Sequence, residues 1–403
     1  MRQFYYRLFL LCLFVYSLVI IQTMYQMYGL DDSVDGTMFG IRLPYYMIPL
    51  FLANIGIIAK YSKKLPTDSL GIVLLVWIIF LSFNVFFLSD IIYLDFIRVH
   101  LWTTSYFASY LLIRNNPNRL QTLLQMFVIV FFISTVFFAL SKYTLRYVAQ
   151  LGFGTQSNIV FCVLTVFPWI LLQKNRKYTL IICLVTMVVV LFSNKRSALI
   201  ILFLCALPVI KYYYQTGVNK KYLTISLFLA AILFAFTFSY LNNTYLNNHI
   251  GERFAELSED GGSNRDRIWQ YTWNGYQNSP SINQIIGNGH YKVSKLGRAT
   301  AAHNDFLEVL YDYGAIGFIL YLLIHISIFR RMIYLRKMRH PFAYSYMAMW
   351  LIFVVMSFVS ILIVQQRYLI YMGVYWGAID GYLVSQRNKS YSIYNDSLFF
   401  KHI

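Results

Sequence analysis

The chain is 403 residues long, 59% hydrophobic and only 12% charged, with a formal net charge of +18. A soluble domain carries about a quarter charged residues, so this composition excludes a water-soluble globular protein and calls for a bilayer as solvent. The positive charge does not point to nucleic acid. It is scattered in short clusters such as "KNRK" and "RRMIYLRKMRH" at the ends of apolar runs, where anionic lipid headgroups are the natural partner.

A run of about 20 apolar residues crosses the hydrocarbon as a helix, and the hydropathy pattern predicts about twelve such spans. In chain order they are 8–27, 39–59, 69–88, 91–113, 120–140, 155–173, 179–193, 198–213, 222–241, 314–329, 342–363 and 368–384. The first reads as an uncleaved span and not as a signal peptide, because its apolar run is too long and no small-residue cleavage site follows. Arg42 opens the second span. The fourth holds Asp90, Asp95, Arg98 and His100, and Asp95 and Arg98, three residues apart, share a helix face where they can pair. The seventh, eighth and tenth spans are short. Cys12, Cys162, Cys183 and Cys205 all fall in apolar spans, so they read as packing residues, and no disulfide framework or metal-ligand spacing is present.

Lys and Arg residues mark the cytoplasmic side. With the N-terminus inside, the inner loops carry most of the 34 basic residues, and 242–313 becomes one large external loop. The expected architecture is an all-α polytopic membrane protein of about twelve transmembrane helices. Residues 1–241 form nine spans, 242–313 a large periplasmic loop, 314–385 three more spans, and 386–403 a cytoplasmic tail.

The external loop is polar and glycine-rich, and long loops of this kind carry function when they are ordered. Within it, "SNRDRIWQYTWNGYQ" places Trp269, Trp273 and Tyr276 on one face of a helix, suited to the membrane interface or to stacking on a sugar ring. At the end of the loop, "ATAAHNDFLEVLYDYGAIG" sets His303, Asn304, Asp305, Glu308 and Asp312 against the start of an apolar span. Asp305 and Glu308 complement the helix dipole there and need no catalytic role. Glu308, five residues after His303, falls off its helical face.

The stretch "HNDFLEVLYDYGAIG" resembles the H-N-x-x-L-x-x-L-x-x-x-G-x-x-G signature that opens a late transmembrane helix in the O-antigen ligase and O-antigen polymerase family. His303, Asn304, Leu307, Leu310, Gly314 and Gly317 carry the match. "SNRDRIW" resembles the family's Arg-x-x-x-Trp element through Arg265 and Trp269, and Gly287 to Gly289 resembles its G-x-G turn. "SNKRSALI" is similar to an S-R-x-A segment at an outer turn, with Lys195 where many members have Ser.

The resemblance implies a GT-C-like fold in a bacterial inner membrane, with an active site facing the periplasm. It also implies transfer of an oligosaccharide from undecaprenyl diphosphate to a hydroxyl of an acceptor sugar, without cofactor or metal. Such a step needs a base near neutrality and cations for the departing diphosphate. His303 is the candidate base, and Arg265 and Arg196 are the candidate phosphate clamps, because a guanidinium binds phosphate oxygens bidentately and stays ionised. Asn304, Arg267, Trp269, Arg367 and Arg42 are candidate substrate-binding residues. The implied partners are the lipid-linked donor, a saccharide acceptor and the bilayer, with flippase and chain-length regulator proteins in the same pathway.

Within the family, a polymerase passes the glycan to another lipid-linked repeat unit, whereas a ligase passes it to the lipid A-core. Both resemble the sequence in the same residues; the reading leans weakly towards polymerase, with ligase as the alternative. The rival from another class is a transporter or flippase, which shares the twelve-span plan. Transporters tend to show internal repeats and paired broken helices, and the sequence contains neither.

Overall fold

Apolar runs that cannot hydrogen-bond to lipid must satisfy their backbone internally, and the chain does so as helices. A computed structural model describes residues 2–26, 37–38, 41–88, 92–149, 158–173, 176–193, 195–215, 265–296, 301–360, 362–363 and 367–399. Its helices are α1 (Arg2–Gln26), α2 (Leu43–Tyr61), α3 (Ser69–Leu88), α4 (Ile92–Asn115), α5 (Arg119–Ala149), α6 (Ile159–Ile170), α7 (Arg176–Phe192) and α8 (Arg196–Gln215). They continue as α9 (Arg265–Gln277), α10 (Ser281–Ile286), α11 (Asp305–Lys337), α12 (Ala343–Val359) and α13 (Leu369–Phe399). A two-residue antiparallel ladder pairs Thr37–Met38 with Ile41–Arg42 just before α2.

Every expected span except the ninth, 222–241, coincides with one of these helices; the ninth and the first part of the external loop lie outside the described residues. Among the described residues, Gln3–Tyr25, Ser69–Leu88, Arg119–Ser141 and Asp305–Lys337 are long and apolar enough to cross a membrane. Helix α6 is far shorter, about 18 Å at 1.5 Å per residue. All twelve of its residues are buried, so its ends lie within protein.

Two expected boundaries are corrected. The helix predicted to begin at 314 begins at Asp305 and passes through a kink at Gly314, whose φ is 66°. The acidic turn therefore belongs to the helix and not to the loop. The last span continues as helix to Phe399, beyond the expected start of the tail.

One face of the bundle is drawn together by basic loop ends. Tyr6 donates to the Arg119 carbonyl at 3.2 Å, Lys64 Nζ donates to Asn115 Oδ1 at 2.7 Å, and Arg387 reaches the Tyr334 hydroxyl at 3.3 Å. Arg331 near the end of α11 pairs with Asp68 before α3 and, at 3.0 Å, with Asp380 of α13, which also accepts from Tyr106 of α4 at 3.1 Å. Removing one partner of such a buried pair strands a charge. This anchor ties four helices together at the end opposite His303.

Helices α4 and α13 approach unusually closely. Gly373, Gly377 and Gly381 recur every four residues on one face of α13, and a Cβ at each would collide with the carbonyl oxygen of Trp102, Tyr106 or Tyr110 on α4. In lipid no hydrophobic force draws helices together, so small residues that let backbones touch supply the packing energy. Gly377→Leu is expected to destabilise the fold by about 1–3 kcal/mol or more, as overpacking does. The check is thermal unfolding of purified protein in detergent, where an unchanged midpoint would show that the two helices can part freely.

Candidate active site

The descent from the external loop into α11 is held by three acids. Asp312 accepts from the backbone amides of Tyr291, Lys292 and Val293 at 2.8, 3.0 and 3.2 Å. Asp305 accepts from Ile363 N at 3.2 Å and from the Tyr321 hydroxyl at 3.0 Å. Glu308 accepts from Ala302 N at 2.6 Å. All three are fully buried. Each carboxylate satisfies backbone donors that would otherwise be orphaned in an apolar setting, and each pins a different segment to α11. The acids thus do more than complement the dipole.

The "GNG" turn is part of the same docking. Gly289 N donates to the Asp312 carbonyl at 2.9 Å, and Asn288 donates to the Tyr311 carbonyl through its backbone and its side chain. Gly287 (φ 95°) lies against Asp312 and Tyr313, and Gly314 lies against Ile285 and Gly287. Here any side chain would strike backbone. Asn84 of α3 fastens the far side by donating to the Ile286 carbonyl at 2.8 Å. His290, next after the turn, is buried with Nδ1 2.6 Å from the Tyr313 hydroxyl, and burial pushes it down to about 4. Its place is inside the protein, stacked on the Tyr313 ring.

His303 follows directly from this scaffold. It is half-buried and has φ 53°, in the left-handed region that non-glycine residues seldom occupy. Asn304 is extended and caps α11, its side-chain oxygen accepting from Phe306 N at 3.0 Å and Leu307 N at 3.2 Å. That oxygen is committed to the helix. The histidine is therefore the last residue before a fixed cap.

Around it the structure gathers cations. Burial, then Arg265, then Lys195 hold His303 below its ordinary value of 6.5. Burial, then Arg196, lower Arg265 from its ordinary 12.5. Arg196 is the first residue of α8, Arg265 the first of α9, and His303 lies two residues before α11. The start of α8 thus lies within electrostatic reach of the start of α9, and that of α9 within reach of His303, linking residues separated by more than a hundred positions in sequence. Helix N-termini carry partial positive charge, which favours an anion at their junction.

The remaining candidates separate. Trp269 is one turn beyond Arg265, and its indole N–H donates to the Ala302 carbonyl at 3.1 Å, so its polar edge is spent inside the protein. Tyr276 likewise turns inward, donating to the Gln284 carbonyl at 3.2 Å, while Trp273 is exposed. The expected aromatic face is therefore split. Arg267 is exposed on the outer side of α9. Arg367 is buried beside Met24 of α1 with Nη1 4.0 Å from the sulfur, and it also acts on Tyr16 and Cys162. Arg42 pairs with Thr37 through the backbone ladder, and its side chain lies outside the described residues. Asp95 and Arg98 form the predicted pair at 3.5 Å.

Lys195 and Glu308 lie beside these candidates, and sequence reasoning assigned neither of them a role at the site. Glu308 was set aside by helical spacing, but residues 301–304 are not helical, so the spacing did not apply. Among the described residues no group of three His, Cys, Asp or Glu side chains gathers as a metal-ligand set.

Comparison with protein families matches residues 178–322 to the O-antigen ligase model. This interval is about a third of the chain and holds Lys195, Arg196, Arg265, Trp269, His303 and Glu308. Among curated proteins, none matches the chain. Residues 178–322 are thus similar to the O-antigen ligase family, in a chain whose long apolar helices are those of a membrane protein.

Proposed function

We propose that the protein polymerises a bacterial surface polysaccharide, transferring a glycan from undecaprenyl diphosphate to an acceptor sugar hydroxyl on another lipid-linked repeat unit. The observation that carries this reading is that Arg265 and Lys195 act electrostatically on His303, and Arg196 on Arg265, within the matched region. In the reaction, neutral His303 takes the proton of the acceptor hydroxyl as its oxygen bonds to the anomeric carbon. The bond from that carbon to the phosphate oxygen breaks, and the diphosphate leaves with both electrons. Arg265, Arg196 and Lys195 receive the charge that develops on it. No metal takes part in this scheme.

The lowered His303 suits the role, because a base among cations stays unprotonated and ready at neutral pH. Twelve spans, a GT-C-like arrangement, a cytoplasmic N-terminus and a periplasmic site in the inner membrane complete the proposal. Asn304, Arg267, Trp269, Arg367 and Arg42 are proposed to contribute to substrate binding, Trp269 through its ring faces. The bilayer holds the donor's lipid, and flippase and chain-length regulator proteins act beside the enzyme.

A second reading, transfer to the lipid A-core, is favoured by the description of the matched family as O-antigen ligase. The two are separated by a gel of surface polysaccharide from a deletion strain. The polymerase reading predicts core bearing a single repeat unit, and bare core would replace it with the ligase reading.

A further inference from the structure

We infer that Glu308 and Trp269 are positioning residues that hold Ala302 by its backbone N–H and its carbonyl and thereby fix how His303 presents its ring. The inference rests on the reading of His303 as the base. Glu308 Oε2 accepts from Ala302 N at 2.6 Å, and Trp269 Nε1 donates to Ala302 O at 3.1 Å. Ala301 and Ala302 are wholly buried, so no water competes for these groups. The next residue, His303, sits at φ 53°, and the one after is locked as the helix cap. With both flanking units fixed, His303 retains little beyond rotation of its own side chain.

The two grips come from different elements. Glu308 belongs to the first turn of α11, whereas Trp269 belongs to α9, one turn after Arg265. The Trp269 bond therefore ties the helix carrying the clamp to the segment carrying the base, and it sets their separation. Glu308 is an expensive way to hold one amide. Its carboxyl is fully buried, and Oε1 has no hydrogen-bond partner among the described residues. Leaving a buried polar atom unsatisfied costs stability, which is the mark of a residue retained for site geometry.

The test uses purified full-length protein and the undecaprenyl-diphosphate-linked glycan isolated from the host's membranes. Glu308→Ala is expected to lower kcat by about 10- to 100-fold, as misplacement by an ångström does. The donor KM should stay near wild type, because the phosphate clamp is untouched. Glu308→Gln, whose carbonyl oxygen can still accept from Ala302 N, should recover most of the loss. Trp269→Phe removes the indole donor, and it should move the midpoint of the pH–rate rise upward as the ring leaves Arg265 and Lys195. Wild-type kcat and pH profile in both Glu308→Ala and Trp269→Phe, beside an inactive His303→Ala, would overturn the positioning role and leave the base assignment standing. An active His303→Ala overturns the base assignment, and the positioning role with it.

Discussion

Replacing His303 by Ala is expected to lower kcat by roughly 10²- to 10⁴-fold, the usual contribution of a positioned base. The loss should come without unfolding. His303 is half-buried and makes no part of the cap, which belongs to Asn304, so its removal leaves the Ala302 grip and the α11 N-terminus intact. Relief of its left-handed backbone would, if anything, be small, since Ala pays a similar cost there. The wild-type pH profile gives a second measure. His303 acts when neutral, and burial with Arg265 and Lys195 holds its value below 6.5. The rate should therefore rise with pH through a midpoint below 6.5 and then stay level. A rate that falls over this interval would mean that the group acts as an acid.

The second large effect is at Arg265. Arg265→Ala should cost about 10²- to 10³-fold in kcat, comparable with loss of one donor to a developing anion. Arg265→Lys should cost nearly as much, because an ammonium cannot reproduce the bidentate fork. The two variants part company in their pH profiles. Arg265 is one of the two cations depressing His303, so Ala removes a repulsion from the imidazolium and shifts the midpoint upward. Lys keeps the charge, and the shift should be smaller. Full activity in the Lys variant would reduce Arg265 to a point charge.

Much of this was legible in the sequence because the physics of lipid is severe. The run 69–88 between "KKLPTD" and a polar break became α3 with the same bounds. Arg265 matches the Arg-x-x-x-Trp spacing with Trp269, and in the structure it acts electrostatically on His303 while Arg267 is exposed. What hid from sequence was tertiary. Asp305, Glu308 and Asp312 read as a polar approach to a helix, and they became helical because a folded loop supplies the amides that make their burial tolerable. Asn304 looked like a ligand for sugar, and its oxygen serves as a cap. The Gly373, Gly377 and Gly381 ladder drew no reading from the sequence, because its meaning depends on α4, far away in the chain, presenting bare carbonyls. Arg331 likewise pairs with Asp68 and Asp380, partners that no local pattern connects.

The central claim is a division of labour, in which the cationic cluster holds the leaving diphosphate and His303 activates the acceptor. It is tested most directly in purified protein supplied with the host's undecaprenyl-diphosphate-linked glycan, by following glycosidic bond formation together with undecaprenyl diphosphate release and donor binding. The account predicts that wild type releases one undecaprenyl diphosphate for each bond formed. His303→Ala should bind donor normally but form both products roughly 10²- to 10⁴-fold more slowly, and Arg265→Ala should be weakened in both binding and turnover. A His303→Ala protein that forms the bond at the wild-type rate would contradict it.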